Sequence, residues 1–298
     1  NSVVAIALAW VRRNVIKGRL VCGTESADGT FEESAGHPLT ELLRRPNRLD
    51  SWRATLGGTA DSLAVDGYAY WLKERNRLGE VVGVWWQPNL TIAPEEEPDP
   101  ARQLASGPLK GYWYDNGRTR RWYEPSEVVH FRQGRDPLCR WQGISDLKVQ
   151  IRNVAGIDAA ERYTAAVLRN AHAGKALAPK DKDAYIDAGS LDEKSMQALA
   201  DDLEGGLSGE NAGRIRKLRM AIDVVDLGFG PQEMALTEIL DLPIALILAA
   251  LGLNAITLTL PGGNAISTFA NKENADRHAF NNAVIPLQDL IADEVEQQ

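Results

Sequence analysis

Residues 143–171, GISDLKVQIRNVAGIDAAERYTAAVLRNA, contain a long helical pattern. Apolar side chains recur there at spacings of three and four from Leu147 to Ala171, as on one face of an amphipathic helix. About seven turns of this pattern predict one helix of roughly 40 Å. Its many alanines favour a helical backbone and let neighbouring helices approach closely.

Beyond this helix we expect a short segment at 175–186, a helix opened by the capping box of Ser190 and Glu193, and one or two strands within 214–227. Pro231 is placed to begin another helix, which continues to residue 251. A last helix begins near Thr268 and continues, kinked or interrupted by Pro286, to Val295.

No charged residue occurs from Leu242 to Asn271, so this stretch is a nominal membrane-span candidate. Pro243, Gly252 and Pro261 interrupt it well before the roughly 20 continuous apolar residues that a span requires. We expect a buried helix followed by a flexible loop, and no membrane. A membrane-associated protein that uses residues 242–260 is one alternative.

The first 142 residues have a different pattern. We expect helices at 3–15 and 50–66, a strand at 19–22, and an antiparallel meander with helices packed on it. The hairpin dipeptide Asn116-Gly117 is among the turn signals that separate the meander strands. The charged, proline-broken run at 95–100 predicts a solvated loop rather than a metal site. The meander strands are expected at 68–75, 81–87, 111–114, 120–123 and 128–132.

Charge and tryptophan content also divide the chain. Residues 1–142 hold 19 Lys and Arg against 18 Asp and Glu, whereas residues 143–298 hold 14 against 23. The net charges are therefore +1 and −9, and all eight tryptophans lie in the first part. Two regions of different character follow. Cys22 and Cys139 suggest neither a disulfide scaffold nor a zinc site, which fits a reducing cytoplasm.

Motifs of the common enzyme classes are absent from the sequence. There is no GxSxG, GxxxxGK[ST] or HExxH, and Gly228-Phe229-Gly230 lacks the third glycine of a dinucleotide loop. The four histidines share no metal-ligand spacing: His37, His130, His172 and His278. We expect no catalytic residue, cofactor or metal. The alternative is an α/β enzyme whose unrecognised site lies in the tryptophan-rich part.

Five short motifs follow one another in an order that resembles the portal proteins of tailed bacteriophages with an HK97-type capsid. They are Gly67-Tyr68-Ala69-Tyr70, the run PSEVVHFR at 125–132, Gly143-Ile144-Ser145-Asp146-Leu147, Thr268-Phe269-Ala270-Asn271-Lys272-Glu273, and Ile285-Pro286-Leu287. The chain departs from the family at Phe269, where tyrosine is favoured, and at Pro243, inside a helix.

This resemblance implies an α+β, portal-like fold. Residues 1–142 would be an α/β wing, 143–172 the first stem helix, and 173–230 a small α/β clip. Residues 231–251 would be the second stem helix and 252–267 a tunnel loop. The helix at 268–298 would lead towards a crown that the chain lacks.

The resemblance also implies partners. Family members form rings, usually of twelve copies, at one capsid vertex, where double-stranded DNA is packaged and ejected. Terminase docks there, the head–tail connector joins later, and capsid and scaffold proteins surround the ring. The protein would belong to the virion of a phage or prophage and to the host cytoplasm during assembly, with ATP hydrolysis left to the terminase.

The distribution of charge predicts how strongly the channel binds DNA. Clustered Lys and Arg bind phosphates, so an acidic wall and an uncharged loop hold the duplex weakly and without sequence preference. Neutral polar side chains of the tunnel loop are expected to face the DNA, although a solvated loop without ligand fits equally well. These residues are Asn254, Thr257, Thr259, Asn264 and Ser267.

One basic patch is the exception, with four cations in six residues: Arg214, Arg216, Lys217 and Arg219. It could contact DNA at the clip opening, form salt bridges with acidic surface on the next subunit, or meet the terminase. The sequence leaves these three possibilities open.

Overall fold

The computed structural model describes residues 1–26, 28–34, 36–169, 175–179, 222–226, 236–260 and 269–297. The chain divides into two units. The first consists of Asn1–Val154 and Ile244–Gln298, and the second of Ala155–Pro243.

The first unit combines helices with three small antiparallel sheets. Its leading helices are α1 (Ser2–Val15), α2 (Pro38–Arg44), α3 (Trp52–Asp66) and α4 (Pro100–Ser106). A two-stranded sheet joins β1 (Gly23–Glu25) to β2 (Phe31–Glu33). The remaining strands are β3 (Tyr68–Arg75), β4 (Val81–Gln87), β5 (Ile92–Glu96), β6 (Leu109–Asp115), β7 (Arg120–Tyr123) and β8 (Val128–Arg132).

These six strands form two three-stranded sheets instead of one continuous meander. The orders are β4-β3-β8 and β5-β6-β7, because β8 returns to pair with β3 after the second sheet is complete. The Asn116-Gly117 hairpin between β6 and β7 is confirmed, with Gly117 at φ +79°. The strand expected at 19–22 is wrong, since extended pairing begins only at Gly23, opposite Glu33.

Helix α3 packs against β3 and supplies much of the core. It begins after Ser51, whose hydroxyl accepts a hydrogen bond from the Ala54 amide, and it ends at Gly67 in the left-handed conformation. Its Thr59 hydroxyl accepts a hydrogen bond of 2.7 Å from the Trp71 indole N–H. Trp71 is 1% exposed and its ring stacks edge-on against Phe131.

The expected loop at 95–100 is wrong in its first two residues. Glu95 and Glu96 belong to β5 and pair with β6, and Pro100 then begins α4. Lys110 Nζ lies 2.6 Å from the Glu95 carboxylate, and the Trp141 indole donates to Glu96 at 2.7 Å. These partners compensate the two carboxylates, so charge does not end the strand there.

The chain's last described stretch is helical throughout, as expected from Thr268 onward. Helix α7 (Phe269–Ala279) passes through a π-helical turn (Phe280–Val284) into α8 (Ile285–Glu296). Pro286 has no N–H to donate to the Asn282 carbonyl, and the wider π turn precedes it. The Gln288 amide donates to the Val15 carbonyl at 3.0 Å and ties α8 to the end of α1.

Two further helices cross from one unit into the other. Helix α5 (Ile151–Arg169), after a 3₁₀ turn at Lys148–Gln150, occupies most of the long helix that the apolar spacing predicts. Helix α6 (Leu236–Ala250) contains Pro243. In the second unit, β9 (Lys175–Pro179) pairs antiparallel with β10 (Ile222–Asp226). The helix predicted after Ser190 lies outside the described residues.

Candidate nucleic-acid interface

The segment after α6 contains the described part of the expected tunnel loop. Ile247 and Leu248 are buried in the last turns of α6, and Gly252 follows at φ +70°. The Leu253 amide donates to the Leu248 carbonyl at 2.8 Å, and the Gly252 amide donates to Ala249 at 3.0 Å. This is a Schellman motif, in which a left-handed glycine ends the helix. The helix therefore stops where the loop is expected to begin.

Close packing fixes the base of this segment. A Cβ atom on Gly252 would lie 3.0 Å from the carbonyl carbon of Asn282 in the π-helical turn. Both the backbone angle and the space require glycine. Leu251 and Leu253 on either side are buried as well, so the segment starts from a rigid support.

Asn254 and Thr257 use their polar groups within the segment. The Asn254 side-chain oxygen accepts hydrogen bonds from the Thr257 amide at 2.9 Å and from its hydroxyl at 3.1 Å. Thr257 is buried at 5% exposure, whereas Thr259 is exposed. In the described arrangement Asn254 and Thr257 hold a helical turn in place, and Thr259 is the member that solvent reaches.

Thr259 has an unusual backbone. Its φ is +57°, the only positive value of a non-glycine residue in the described ranges. The Leu260 amide donates to Ala255 at 2.9 Å and the Thr259 amide donates to Ile256 at 3.1 Å, which makes a second Schellman motif. A β-branched residue in this conformation is strained by about 1–3 kcal/mol. Sequence patterns gave no sign of this strain.

Lys272 is a functional candidate that the sequence did not single out. Its Nζ lies 3.5 Å from the Thr259 hydroxyl, although 13 positions separate the two residues. A cation therefore stands beside a segment that has no charge of its own. The sequence shows that charged residues resume at Lys272, directly after the uncharged stretch. It does not show that α7 brings Lys272 back to Thr259.

The other predicted site residues lie outside the described residues. They are Asn264 and Ser267 of the expected tunnel loop and the basic patch of Arg214, Arg216, Lys217 and Arg219.

His130 is a buried ionisable side chain of the type that enzymes use as a general base. Its Nδ1 lies 3.2 Å from the Tyr112 hydroxyl, and the Tyr70 ring packs over it at 4.5 Å between centroids. Burial, with a smaller contribution from Arg132, lowers the pKa of His130 to about 3. Burial likewise raises the pKa of Tyr112 and Tyr70. With so low a pKa the imidazole stays neutral near physiological pH and is a weak general base.

Two general features of the described residues also bear on function. None of their helices is both long and apolar enough to cross a lipid bilayer. Within the same ranges, His, Cys, Asp and Glu side chains do not gather in groups of three or more that could hold a metal ion.

A family model described as "Phage portal protein" matches residues 3–298. One similar solved structure is the neck of an empty gene transfer agent particle computed with C6 symmetry. It is 22% identical and has a TM-score of 0.70, and the match covers 99% of this chain and 76% of that one. The neck of a native particle computed with C12 symmetry is 20% identical, with a TM-score of 0.67 over the same shares.

An HK97 family phage portal protein from Corynebacterium diphtheriae has the same fold, with 16% identity and a TM-score of 0.61 over 97% of this chain and 84% of that one. No curated protein matches the chain. The family model covers nearly every residue, and the solved structures agree with it in fold. This chain belongs to the phage portal protein family.

Proposed function

We propose that this chain is a ring-forming subunit at one vertex of a phage or prophage capsid, through which double-stranded DNA is packaged and later ejected. The observation that carries the proposal is the family match over residues 3–298. Similarity to particle necks computed with C6 and C12 symmetry supports a ring, and we propose twelve copies.

The proposed layout assigns one part of the ring to each stretch. Residues 1–142 form the wing, 143–172 and 231–251 the stem helices, and 173–230 the clip. The tunnel loop is 252–267, and the helix at 268–298 leads to a crown. The bounds of α5 and α6 support the stem assignment, and the helix stop at Gly252 supports the start of the tunnel loop.

In this proposal the tunnel loop faces the DNA and holds it weakly. Its lack of charged residues and the net charge of −9 after residue 142 both disfavour tight phosphate binding. Thr259 is the exposed contact of the described part, and Lys272 adds one cation per copy beside it. Asn264 and Ser267 extend the same uncharged surface. The Arg214–Arg219 patch contacts DNA, the next subunit or the terminase.

Portal proteins are structural components of the particle. We propose that this chain has no catalytic activity and that ATP hydrolysis belongs to a terminase that docks on the ring. Capsid and scaffold proteins and the head–tail connector are the other proposed partners. Assembly takes place in the host cytoplasm, and the finished ring resides in the virion.

Electron microscopy of the full-length protein tests the proposal. The expected result is a closed ring of about a dozen copies around an open channel whose wall carries few Lys and Arg side chains. A monomer with enzymatic turnover would favour the α/β enzyme, and a protein that needs detergent to stay in solution would favour the membrane alternative. A channel lined with arginine and lysine would contradict the weak-binding part of the proposal.

A further inference from the structure

A basic cleft lies on the first unit, where the end of α1 meets α3 and α7. Two adjoining cavities of about 430 and 650 Å³ share Ile16, Lys17 and Arg53 in their walls. The walls contain two acidic residues, Glu41 and Asp276, against five cations. These cations are Arg13, Lys17, Arg19, Arg44 and Arg53.

Three of the five cations have no acidic partner among the described residues. Arg19 pairs with Glu33 at 2.9 Å, and Arg44 lies 4.0 Å from Glu41. Arg13 and Arg53 form no ion pair with any part of the chain that the structure describes, and Lys17 donates instead to the Asn14 side-chain oxygen at 2.8 Å. The charge of the cleft is therefore available to an acidic partner.

The larger cavity also has features of a protein interface. The half-buried Trp10 and the 36% exposed Phe280 lie in its wall. Asp276 lies in the same wall beside three cations, so this wall remains positively charged. Tryptophan and arginine dominate the binding energy of protein–protein interfaces.

A complementary surface exists on the same chain. Asp289, Asp293 and Glu296 on α8 follow the spacing i, i+4, i+7 and are all exposed. They lie on the side of α8 opposite the buried Leu287 and Ile291. No Lys or Arg occurs from residue 278 to residue 298, and these three carboxylates form no ion pair in the described ranges. Like charges at this spacing repel one another unless cations lie opposite them.

We propose that the basic cleft of each copy receives this acidic stripe of the next copy in the ring. A ring closes through two different surfaces that fit each other, one on each side of every interface. The cleft and the stripe have opposite charge, and neither Arg13 and Arg53 nor the three carboxylates form an ion pair with the residues that the structure describes. Duplex DNA in the cleft would leave the stripe unpaired, so a second copy fits both surfaces better. The inference rests on the proposed ring.

Charge reversal in the full-length protein tests this pairing by mass photometry. The Arg13→Glu, Arg53→Glu variant places like charges face to face and is expected to need at least about tenfold more protein to assemble. The matched control is Arg77→Glu, Arg118→Glu, which makes the same charge change at exposed arginines outside the cleft and should assemble normally. Adding Asp289→Arg, Asp293→Arg to the cleft variant restores opposite charges and should restore the ring.

The outcomes separate the two proposals. If the unchanged protein forms no ring, both fail. If it forms rings and the cleft variant does so equally well, only the cleft–stripe pairing fails. If the cleft variant forms no ring and the added Asp289→Arg, Asp293→Arg changes do not restore it, the acidic stripe is not the occupant of the cleft. If the cleft variant forms rings that no longer enter capsids, the cleft binds a capsid component instead. Equal circular dichroism and unfolding midpoints of the variants confirm that folding is unchanged.

Discussion

Gly252 and Asn282 are in such close contact that a methyl group on Gly252 would lie 3.0 Å from the Asn282 carbonyl carbon and 3.1 Å from its oxygen. Gly252 also has φ +70°. Gly252→Ala should therefore lower the free energy of unfolding by about 2 kcal/mol, of which roughly 1 comes from the left-handed backbone. Denaturant unfolding of the variant and the unchanged protein measures this loss.

Gly79→Ala is the matched control. Gly79 has φ +85°, but a Cβ atom there would meet nothing within 4 Å. This variant should lose only the part that comes from the left-handed backbone, about 1 kcal/mol of the free energy of unfolding. Equal losses at the two positions would mean that the Asn282 contact contributes nothing to stability.

Thr259→Asn should stabilise the protein. Asparagine adopts positive φ more readily than a β-branched residue, so the substitution relieves part of the strain at φ +57°. We expect a gain of about 1 kcal/mol in the free energy of unfolding. Thr259→Val keeps the branched Cβ and should show no gain. A loss in the asparagine variant would contradict the left-handed conformation.

Local signals made much of the first unit predictable. Helix α3 begins at the Ser51 cap and ends at the left-handed Gly67, and both residues act through neighbours within four positions. The β-rich composition of β3 and the turn after Asn116 are equally local. Such patterns need no knowledge of the remaining chain, which is why these bounds agree closely with the sequence-based expectation.

Contacts between distant residues explain what the sequence missed. Lys110 pairs with the Glu95 carboxylate, and the indole N–H groups of Trp113 and Trp141 donate hydrogen bonds to Glu95 and Glu96. None of the three is a near neighbour in sequence. The sequence does show that residues 252–260 carry no charge. The strained Thr259 and the approach of Lys272 depend on where α7 returns, which local propensity does not determine.

Thr59→Ala should cost about 1–3 kcal/mol of stability. The Thr59 hydroxyl accepts the indole N–H of Trp71 at 2.7 Å and donates to the Thr55 carbonyl at 2.8 Å. Alanine leaves the Trp71 donor buried without an acceptor, since Trp71 is 1% exposed. Thr59→Ser keeps the hydroxyl and should therefore lose much less stability than Thr59→Ala. If serine and alanine are equally destabilising, packing and not the hydrogen bond determines the cost.

The stability of the first unit should depend on pH through His130. Burial lowers the pKa of His130 to about 3, whereas an unfolded chain has about 6.5. Between these values the unfolded state binds a proton that the folded state does not, so stability falls as the pH is lowered below about 6.5. At pH 5 the loss should be about 2 kcal/mol. Unfolding curves across pH 5 to 8 would measure it.

His130→Phe isolates this contribution from the other titrating groups. Phenylalanine cannot be protonated, so the variant should be less stable at pH 8, where it lacks the hydrogen bond to Tyr112, yet should lose less stability on acidification than the unchanged protein. Parallel profiles for the His130→Phe variant and the unchanged protein would contradict the buried, neutral imidazole, because the proton uptake that drives acid unfolding would then come from other groups.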